Sequence, residues 1–328
     1  MRRWSAVLVA AWLLPVAGHD SLRPQDIVPW RQGVVGPKAD AGFWWMAAEG
    51  GFARQQALGV SMVAFDSDVE MVKALRAGGI DSFEGSPINA MIATSMGGDL
   101  KIVACTWPKL TFSFFAQRGI ASLADLAGKT IGISAPGALP DVVTRAMLGR
   151  VAIEPQDVRF ASIGGEAERV RALATRSIDA AVAGTELAAR ADLGLKLLAR
   201  ANDILPSFVR ACIVTRGDVW RKRPEDLERL LAATSNGYAH ALASRGETLA
   251  LTRRIAKLGA SDPTAEAAYD EVVANRSLSP SLEIDMGKLQ WLRDFLAEDG
   301  RIDPDFEPGT MTDTAMRVRA LARAKAAQ

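Results

Sequence analysis

The chain has 328 residues, of which 49% are hydrophobic and 23% are charged, and its formal net charge at pH 7 is +1. This length and composition suit two ordinary hydrophobic cores and exclude a chain that is disordered throughout. The nearly balanced charge gives no indication of nucleic-acid binding.

The first 18 residues have the pattern of a secretory signal peptide. Arg2 and Arg3 precede an apolar run from Trp4 to Ala17, and small residues close the segment at Gly18. The run is too short to span a bilayer, which favours a cleaved leader over a membrane anchor. Cleavage near Gly18 would leave 37 basic and 38 acidic residues and place the mature chain in the periplasm.

The chain contains two cysteines and two histidines, which limits the chemistry available to it. Cys105 and Cys212 each lie in an apolar, strand-like run. They are either buried small hydrophobic residues or, in an exported protein, the two ends of one disulfide. His19 and His240 form no cluster with cysteines or carboxylates, so we expect no metal site and no cofactor.

Strands and helices alternate along the first third of the mature chain. Short β-branched or apolar runs predict strands, and longer runs with helical spacing of apolar residues predict helices. We predict strands at 28–36, 60–65, 80–85 and 100–107, and helices at 42–58, 68–79 and 87–98.

The segment "SLADLAGKTIGISAPGALPD" predicts a buried strand, a glycine turn and the start of a helix. Thr130 to Ser134 is apolar and β-branched, Gly137 lies in the turn, and Asp141 begins a helical pattern. A strand followed by a glycine turn and a helix aims unpaired backbone N–H groups at one point beyond the strand. That point suits an acceptor or an anion, although an ordinary connection with water there has the same sequence pattern.

A second alternating set echoes the first set. An "ALxxxxID" phrase recurs at Ala74 to Asp81 and at Ala172 to Asp179, each time between a helix and a strand. The pattern predicts an α/β fold with two parallel-sheet, Rossmann-like domains. We predict strands at 129–134, 158–163, 178–184 and 195–201, and helices at 141–151, 166–177 and 186–194.

The pattern changes after residue 208 to one strand at 209–216 followed by long helices rich in Ala, Leu, Arg and Glu. These helices have no partners of their own, so we expect them to cover the first domain. The chain would then cross between domains twice, near 111–117 and 206–210. We expect a signal peptide at 1–18, a first lobe at 19–113 plus 209–328, and a second lobe at 114–208.

Several phrases resemble the substrate-binding proteins of nitrate, sulfonate, taurine and thiamine-precursor ABC importers. The phrase "LADLAGKTIGISAPG" is the most specific of them, and "FWWMAAEGGFARQQALGV" and "ALRAGGIDSFEGSP" also match that family's pattern. The resemblance implies a two-lobed, type II periplasmic binding protein. Such a protein, here expected to be a monomer, closes on a small solute and delivers it to a permease in the inner membrane.

The resemblance also implies which residues face the cleft. Ser86 matches a serine that commonly contacts ligand in the family, and it is also suited to capping the helix that follows. Ala138 and Leu139 stand where the family often has Ser or Thr, which disfavours a sulfonate or another strong anion. We expect solute contacts from Ser67, Gly85, Ser86, Pro87, Trp107, Ser134, Gly137, Ala138, Leu139, Gly184, Thr185 and Arg210, and from Phe43 or Trp44.

Other polar groups lie near the predicted strand ends. Asp40, Asp66, Asp68 and Glu84 are expected to be solvated loop carboxylates, with Asp66 or Asp68 capping a helix. Any of them that faced the cleft instead would select a cationic or amide donor on the solute, and Arg210 would then balance that carboxylate or bind a carboxylate of the solute. The resemblance further implies that the Cys105 and Cys212 strands are neighbours.

An enzyme of the thiamine-pyrimidine-synthase type is the alternative on the same fold. That enzyme uses a histidine and a pyridoxal cofactor, and no histidine lies at a predicted strand end of this chain. We therefore expect a binding protein without catalytic residues, in which the identity of the solute is open.

Overall fold

The computed structural model describes residues 27–326, so the predicted signal peptide and His19 lie outside the described residues. Two five-stranded sheets organise the chain. Their strands are β1 (Val28–Val35), β2 (Leu58–Phe65), β3 (Ser82–Gly85), β4 (Leu100–Trp107), β5 (Phe112–Ala116), β6 (Thr130–Ile133), β7 (Arg159–Ser162), β8 (Ala180–Gly184), β9 (Lys196–Arg200) and β10 (Ala211–Arg216).

Thirteen α-helices accompany these strands in the described part of the chain. They are α1 (Ala41–Glu49), α2 (Phe52–Gln55), α3 (Asp68–Arg76), α4 (Ile88–Ser95), α5 (Leu139–Gly149), α6 (Glu166–Ala174), α7 (Ala201–Ile204), α8 (Gly217–Lys222), α9 (Pro224–Ala243), α10 (Arg245–Ala256), α11 (Thr264–Asn275), α12 (Met286–Glu298) and α13 (Thr314–Ala326). Among residues 27–326, no helix combines the length and hydrophobicity that crossing a bilayer requires.

The first sheet has the strand order β2-β1-β3-β10-β4, and the second has the order β7-β6-β8-β5-β9. We call each sheet with the helices packed on it the first and the second lobe. The chain leaves the first sheet after β4 and returns to it as β10. Strand β5 of the second sheet begins at Phe112, two residues before the predicted start of the second lobe.

The prediction of wholly parallel sheets is wrong for two strands. β10 runs antiparallel to both β3 and β4, and β5 runs antiparallel to both β8 and β9. Each of these strands enters its sheet directly from the other lobe, without the helical crossover that a parallel neighbour requires. The remaining ladders, β1 with β2 and β3, and β6 with β7 and β8, are parallel.

The Cys105 and Cys212 strands are neighbours, as the resemblance implies. The two cysteines are paired in register across β4 and β10, and their sulfur atoms form a disulfide. Both residues are buried, and 107 positions of sequence separate them. Of the two possibilities that the sequence leaves open, the structure contains the disulfide.

The carboxyl-terminal helices return to the first lobe, as predicted. α9, α10 and α13 pack with α1 on one face of the first sheet, around the buried side chains of Trp30, Trp107 and Tyr238. α3, α4 and α12 contribute to the core on the other face. In the second lobe, the helix predicted at 186–194 is two short 3₁₀ turns, Thr185–Ala189 and Ala191–Leu193.

Candidate functional site

A cavity of about 420 Å³ lies between the two lobes. It opens where β1, β2, β3, β6 and β8 end, because the carboxyl ends of parallel strands lie at one edge of each sheet. Apolar groups form much of the wall, among them Trp44, Trp45, Phe112, Leu187 and Leu258. A cavity of this volume accommodates a small organic molecule.

Arg210 and Asp40 form a buried ion pair in the cavity wall, with 2.6 Å between Arg210 Nη2 and Asp40 Oδ2. The guanidinium also lies over the Trp107 ring, 4.3 Å from its centroid. Burial pushes the pKa of Asp40 up, but the charges of Arg210 and Lys38 outweigh burial and hold that pKa below its ordinary value. Arg210 therefore balances a carboxylate of the protein, which was one of its two predicted roles.

The glycine turn before α5 satisfies its own first N–H groups. Gly137 N–H donates to Asp141 Oδ2 at 2.7 Å, and Ala138 N–H donates to the Ala135 carbonyl at 3.1 Å. Gly137 has φ +79°, a left-handed conformation that glycine adopts without steric cost. The helix start therefore has local acceptors, and Asp141 takes up part of its positive end as predicted.

The next N–H group in this turn bonds to the other lobe. Leu139 N–H donates to Asp68 Oδ1 at 3.0 Å, and Asn89 Nδ2 donates both to Asp68 Oδ2 at 2.8 Å and to the Gly137 carbonyl at 3.0 Å. Burial raises the pKa of Asp68, although the hydrogen bonds that its carboxyl group accepts from Leu139 and Asn89 oppose that rise. A first-lobe carboxyl thus occupies the point that the sequence suggests for an acceptor group of the solute.

Glu186 lies just beyond β8, at the start of a 3₁₀ turn, and lines the cavity. Its side chain lies against the Cα of Gly184, where an added Cβ would meet Glu186 Oε1 at 2.2 Å. Only glycine allows this close approach. Burial is the main cause that raises the pKa of Glu186 to about 8; Lys38 opposes the rise, whereas Glu166 and Asp40 add to it.

Lys38 and Glu166 connect the lobes across the cavity, with 3.3 Å between Lys38 Nζ and Glu166 Oε2. The same oxygen accepts the Gly184 N–H at 3.1 Å. Lys38 also lies over the Phe112 ring, 4.5 Å from its centroid. Lys38 of the first lobe is therefore bonded to Glu166 of the second lobe.

The structure brings half of the predicted site residues to the cavity. Ser86 lines it while its Oγ accepts the Ile88 N–H at 3.3 Å, so the serine also caps α4. Ser67, rather than Asp66 or Asp68, caps α3 by accepting the Glu70 N–H. The predicted residues that line the cavity are Trp44, Ser67, Gly85, Ser86, Ser134, Leu139 and Arg210.

The other seven predicted residues do not line the cavity. Phe43 stacks on Tyr269 in the core, and Thr185 forms a hydrogen bond with Ser113 at 2.9 Å. The predicted residues that do not line the cavity are Phe43, Pro87, Trp107, Gly137, Ala138, Gly184 and Thr185. The binding role of each of these residues stays a prediction.

Sequence reasoning missed Glu186, Glu166 and Phe112 as cavity residues. Glu186 directly follows the predicted Gly184 and Thr185, so its place after a strand was a usable signal. The sequence contains no such signal for Glu166 or Phe112. Glu166 begins a helix and Phe112 begins the strand that enters the second lobe, and neither pattern shows which side chains face the cleft. In the described part of the chain, no group of His, Cys, Asp and Glu side chains is arranged to hold a metal ion.

The comparisons with known proteins agree on one fold. The periplasmic nitrate-binding protein NrtA from Synechocystis PCC 6803 has a TM-score of 0.75 at 13% identity, covering 91% of this chain and 89% of that one. The alkanesulfonate-binding protein SsuA from Xanthomonas axonopodis pv. citri, bound to MOPS, has a TM-score of 0.73 at 15% identity, covering 87% of this chain and 98% of that one. Both share the two-lobed α/β fold of periplasmic binding proteins.

A sequence relative and a family model identify the protein family of the chain. A protein of Brucella abortus (strain 2308) described as a binding protein is 25% identical over 281 residues, which cover 84% of this chain and 85% of the relative. Residues 39–247 match the model of the family described as NMT1/THI5 like. The match spans more than half of the chain and confirms the resemblance read from its motifs. The chain belongs to the NMT1/THI5-like family.

Proposed function

We propose that this protein is the periplasmic solute-binding component of an ABC importer. It captures a small organic solute in the cavity between its lobes and delivers the solute to a permease in the inner membrane. The observation that carries the proposal is the cavity itself, which buries polar side chains of both lobes among apolar walls. Family membership and the binding proteins of the same fold support it.

Periplasmic location and the lobe boundaries belong to the same proposal. The signal-peptide pattern of residues 1–18 supports export. The lobes would comprise residues 19–113 plus 209–328 and residues 114–208, and a monomer would suffice because both walls of the cavity come from one chain. We assign the solute contacts to Trp44, Ser67, Ser86, Ser134 and Glu186, which line the cavity.

An enzymatic function has weaker support. The desulfurization enzyme DSZB shares the fold with a TM-score of 0.61 at 15% identity, covering 90% of this chain and 99% of that one, so the fold alone does not decide between binding and catalysis. No described residue of the cavity wall is His or Cys, and His240 pairs with Glu247 elsewhere. No observation favours a thiamine-pyrimidine-synthase-like activity.

The proposed function predicts that a physiological solute stabilises the protein. A solute at one hundred times its Kd that binds the folded state alone adds about 2.7 kcal/mol to the free energy of unfolding. The measurement is a thermal-shift screen of the purified protein against fractions of a metabolite extract, with native mass spectrometry of the active fraction. Stoichiometric, unmodified solute supports a binding protein, whereas release of a converted product would contradict it.

A further inference from the structure

Each basic side chain that lines the cavity, among residues 27–326, lies within 4.0 Å of a carboxylate. These ion pairs reduce the positive charge that the cavity offers to an anionic solute. Lys38 and Arg169 share one carboxylate, and Arg210 Nη1 is buried without a hydrogen-bond partner. The pairs are Lys38 with Glu166 at 3.3 Å, Arg210 with Asp40 at 2.6 Å, Arg190 with Asp262 at 3.6 Å, and Arg169 with Glu166 at 4.0 Å.

The helix start that would bind an anion is also filled. Leu139 N–H donates to the Asp68 carboxyl, and Gly137 N–H donates to Asp141. An anion entering here would have to displace a carboxyl group of the protein and remain beside it. The positive end of α5 is therefore not available to a sulfonate or a similar group in this arrangement.

Glu186 is the opposite case, a buried carboxyl group without a partner on another residue. The residue is only 8% exposed, and within residues 27–326 its carboxyl group has a hydrogen bond with its own backbone but no hydrogen bond or ion pair with another residue. A buried carboxyl group with so few partners is costly, and a donor or a cation on the solute would reduce that cost. Asp66 and Glu168, which are both exposed, also line the cavity.

We propose that the solute is an organic cation, an amine or amidine whose protonated nitrogen pairs with Glu186 and whose apolar body lies against Trp44 and Leu187. This inference rests on the proposed function and narrows it to a substrate class. Ser134 Oγ, buried in the wall without a hydrogen-bond partner, is a donor for an acceptor group on the same solute. The solute class therefore differs from the nitrate and alkanesulfonate of the two structural neighbours.

The pairing predicts a pH dependence with a definite sign. Free Glu186 has a pKa of about 8, so a cation that needs its ionised form displaces a proton below that pH. Affinity should rise by up to about tenfold per unit from pH 6 to pH 8 and then level off. A neutral solute that accepts a hydrogen bond from protonated Glu186 would show the opposite slope.

The charged groups near Glu186 do not reverse this sign. Lys38 favours its ionised form, and Asp40 and Glu166 oppose that form while remaining paired with Arg210 and Lys38. The carboxylates of α11, which packs on the turn that carries Glu186, have partners outside the cavity. These pairs are Glu266 with Arg253, Asp270 with Arg245, and Glu271 with Arg200.

The test uses probes that share a skeleton and differ in charge. Benzamidine, benzamide and benzenesulfonate form one set, and butylamine, butanol and butanesulfonate form the other. Thermal shift and calorimetry at pH 6, 7 and 8 measure each probe, and benzamidine stays cationic throughout this range. We expect the cationic member of at least one set to bind about tenfold or more tightly than its neutral and anionic partners, with affinity rising with pH.

Two variants identify the carboxyl group responsible. Glu186→Gln keeps the shape and should weaken the cation about 10- to 100-fold and abolish the pH slope, while its melting temperature is the folding control. Glu283→Gln makes the same change at an exposed position outside the cavity lining and should alter affinity by less than about twofold. An equal loss in both variants, or none in Glu186→Gln, would overturn the assignment.

The outcomes separate this inference from the proposed function. Tighter binding of a neutral or anionic probe, or no binding of any cationic probe, overturns the cationic class. Protein purified from the periplasm of its native host gives a second measurement, because denaturation releases any bound molecule for identification by mass spectrometry. A released molecule without a basic nitrogen overturns the cationic class alone, whereas failure to release or acquire any small molecule overturns the proposed function as well.

Discussion

Glu84 shows how strongly the fold changes a single residue. The carboxyl group is only 3% exposed and accepts a hydrogen bond from Tyr238, which is also buried. Burial is the main cause that raises the pKa of Glu84 from 4.5 to about 7, although its hydrogen bonds and the Arg210 charge oppose the rise. Glu84 is therefore protonated in the folded protein at a pH where an unfolded chain has already lost the proton.

This difference predicts that the protein loses stability as pH rises. Between pH 4.5 and about 7 the folded state holds a proton that the unfolded state lacks, so the free energy of unfolding falls with increasing pH. The loss attributable to Glu84 is on the order of 3 kcal/mol between pH 4.5 and pH 8. Urea unfolding at pH 5 and pH 8 should show this loss in the parent and a smaller loss in Glu84→Gln.

Glu283→Gln supplies the control, because Glu283 is exposed and its substitution should leave the pH dependence unchanged. Glu186, with a pKa of about 8, contributes in the same direction, so Glu84→Gln flattens the profile without abolishing it. A parent protein whose free energy of unfolding rises between pH 5 and pH 8 would contradict the buried, protonated state of Glu84.

The burial of such carboxyl groups could not be predicted from the sequence. Asp66 is exposed as expected, whereas Asp40, Asp68 and Glu84 are buried. Their hydrogen-bond partners Arg210, Leu139 and Tyr238 lie 170, 71 and 154 positions away along the chain. A local pattern places a carboxyl group at the end of a strand, but only the tertiary fold supplies its partner.

At the scale of elements, periodicity predicted most strands, and the lack of other partners for the carboxyl-terminal helices predicted their return to the first lobe. Periodicity failed for strand direction in β5 and β10, because the sequence of a strand does not record whether it enters its sheet from a helix or from the other lobe. It also failed at 186–194, where helical propensity produced only 3₁₀ turns. The first of these turns, Thr185–Ala189, packs against α11, and tertiary contacts of this kind outweigh local helix propensity.

The disulfide between β4 and β10 gives the element-scale prediction. The link closes a loop with a sequence separation of 107 and thereby restricts the unfolded chain. The double variant Cys105→Ala, Cys212→Ala should lower the free energy of unfolding by about 2–5 kcal/mol in urea titration while leaving solute affinity nearly unchanged, since neither residue lines the cavity. Two free thiols in oxidised parent protein, counted in denaturant, would contradict the bond.

At the scale of the whole molecule, direct bonds join the two lobes around the cavity. Asp68 accepts the Leu139 N–H, Asn89 donates to the Gly137 carbonyl, and Lys38 pairs with Glu166. Such bonds exist only while the lobes touch, so each favours the closed arrangement over an open one. The sequence predicted two lobes and a cleft, but the bonds that close the cleft depend on side chains from both lobes.

Asp68 should therefore influence the equilibrium between the closed and the open arrangement of the lobes. Asp68→Ala removes two hydrogen bonds of a buried carboxyl group, one of them to the other lobe, and frees the Leu139 N–H. A loss of about 1.5–3 kcal/mol changes the ratio of closed to open molecules by roughly 10- to 100-fold. Small-angle X-ray scattering of solute-free protein should show a larger radius of gyration for Asp68→Ala than for the parent.

The matched control is Asp270→Ala, which removes an exposed carboxylate paired with Arg245 within the first lobe. This variant should keep the parent radius of gyration, because the ion pair that it removes lies within one lobe, does not depend on lobe closure and is screened by solvent. Equal radii for the parent and Asp68→Ala, with both variants folded by circular dichroism, would show that the Asp68 bond does not hold the lobes together. A larger radius for Asp68→Ala alone would mean that part of the free energy of closure resides in the protein, so that the solute supplies only the remainder.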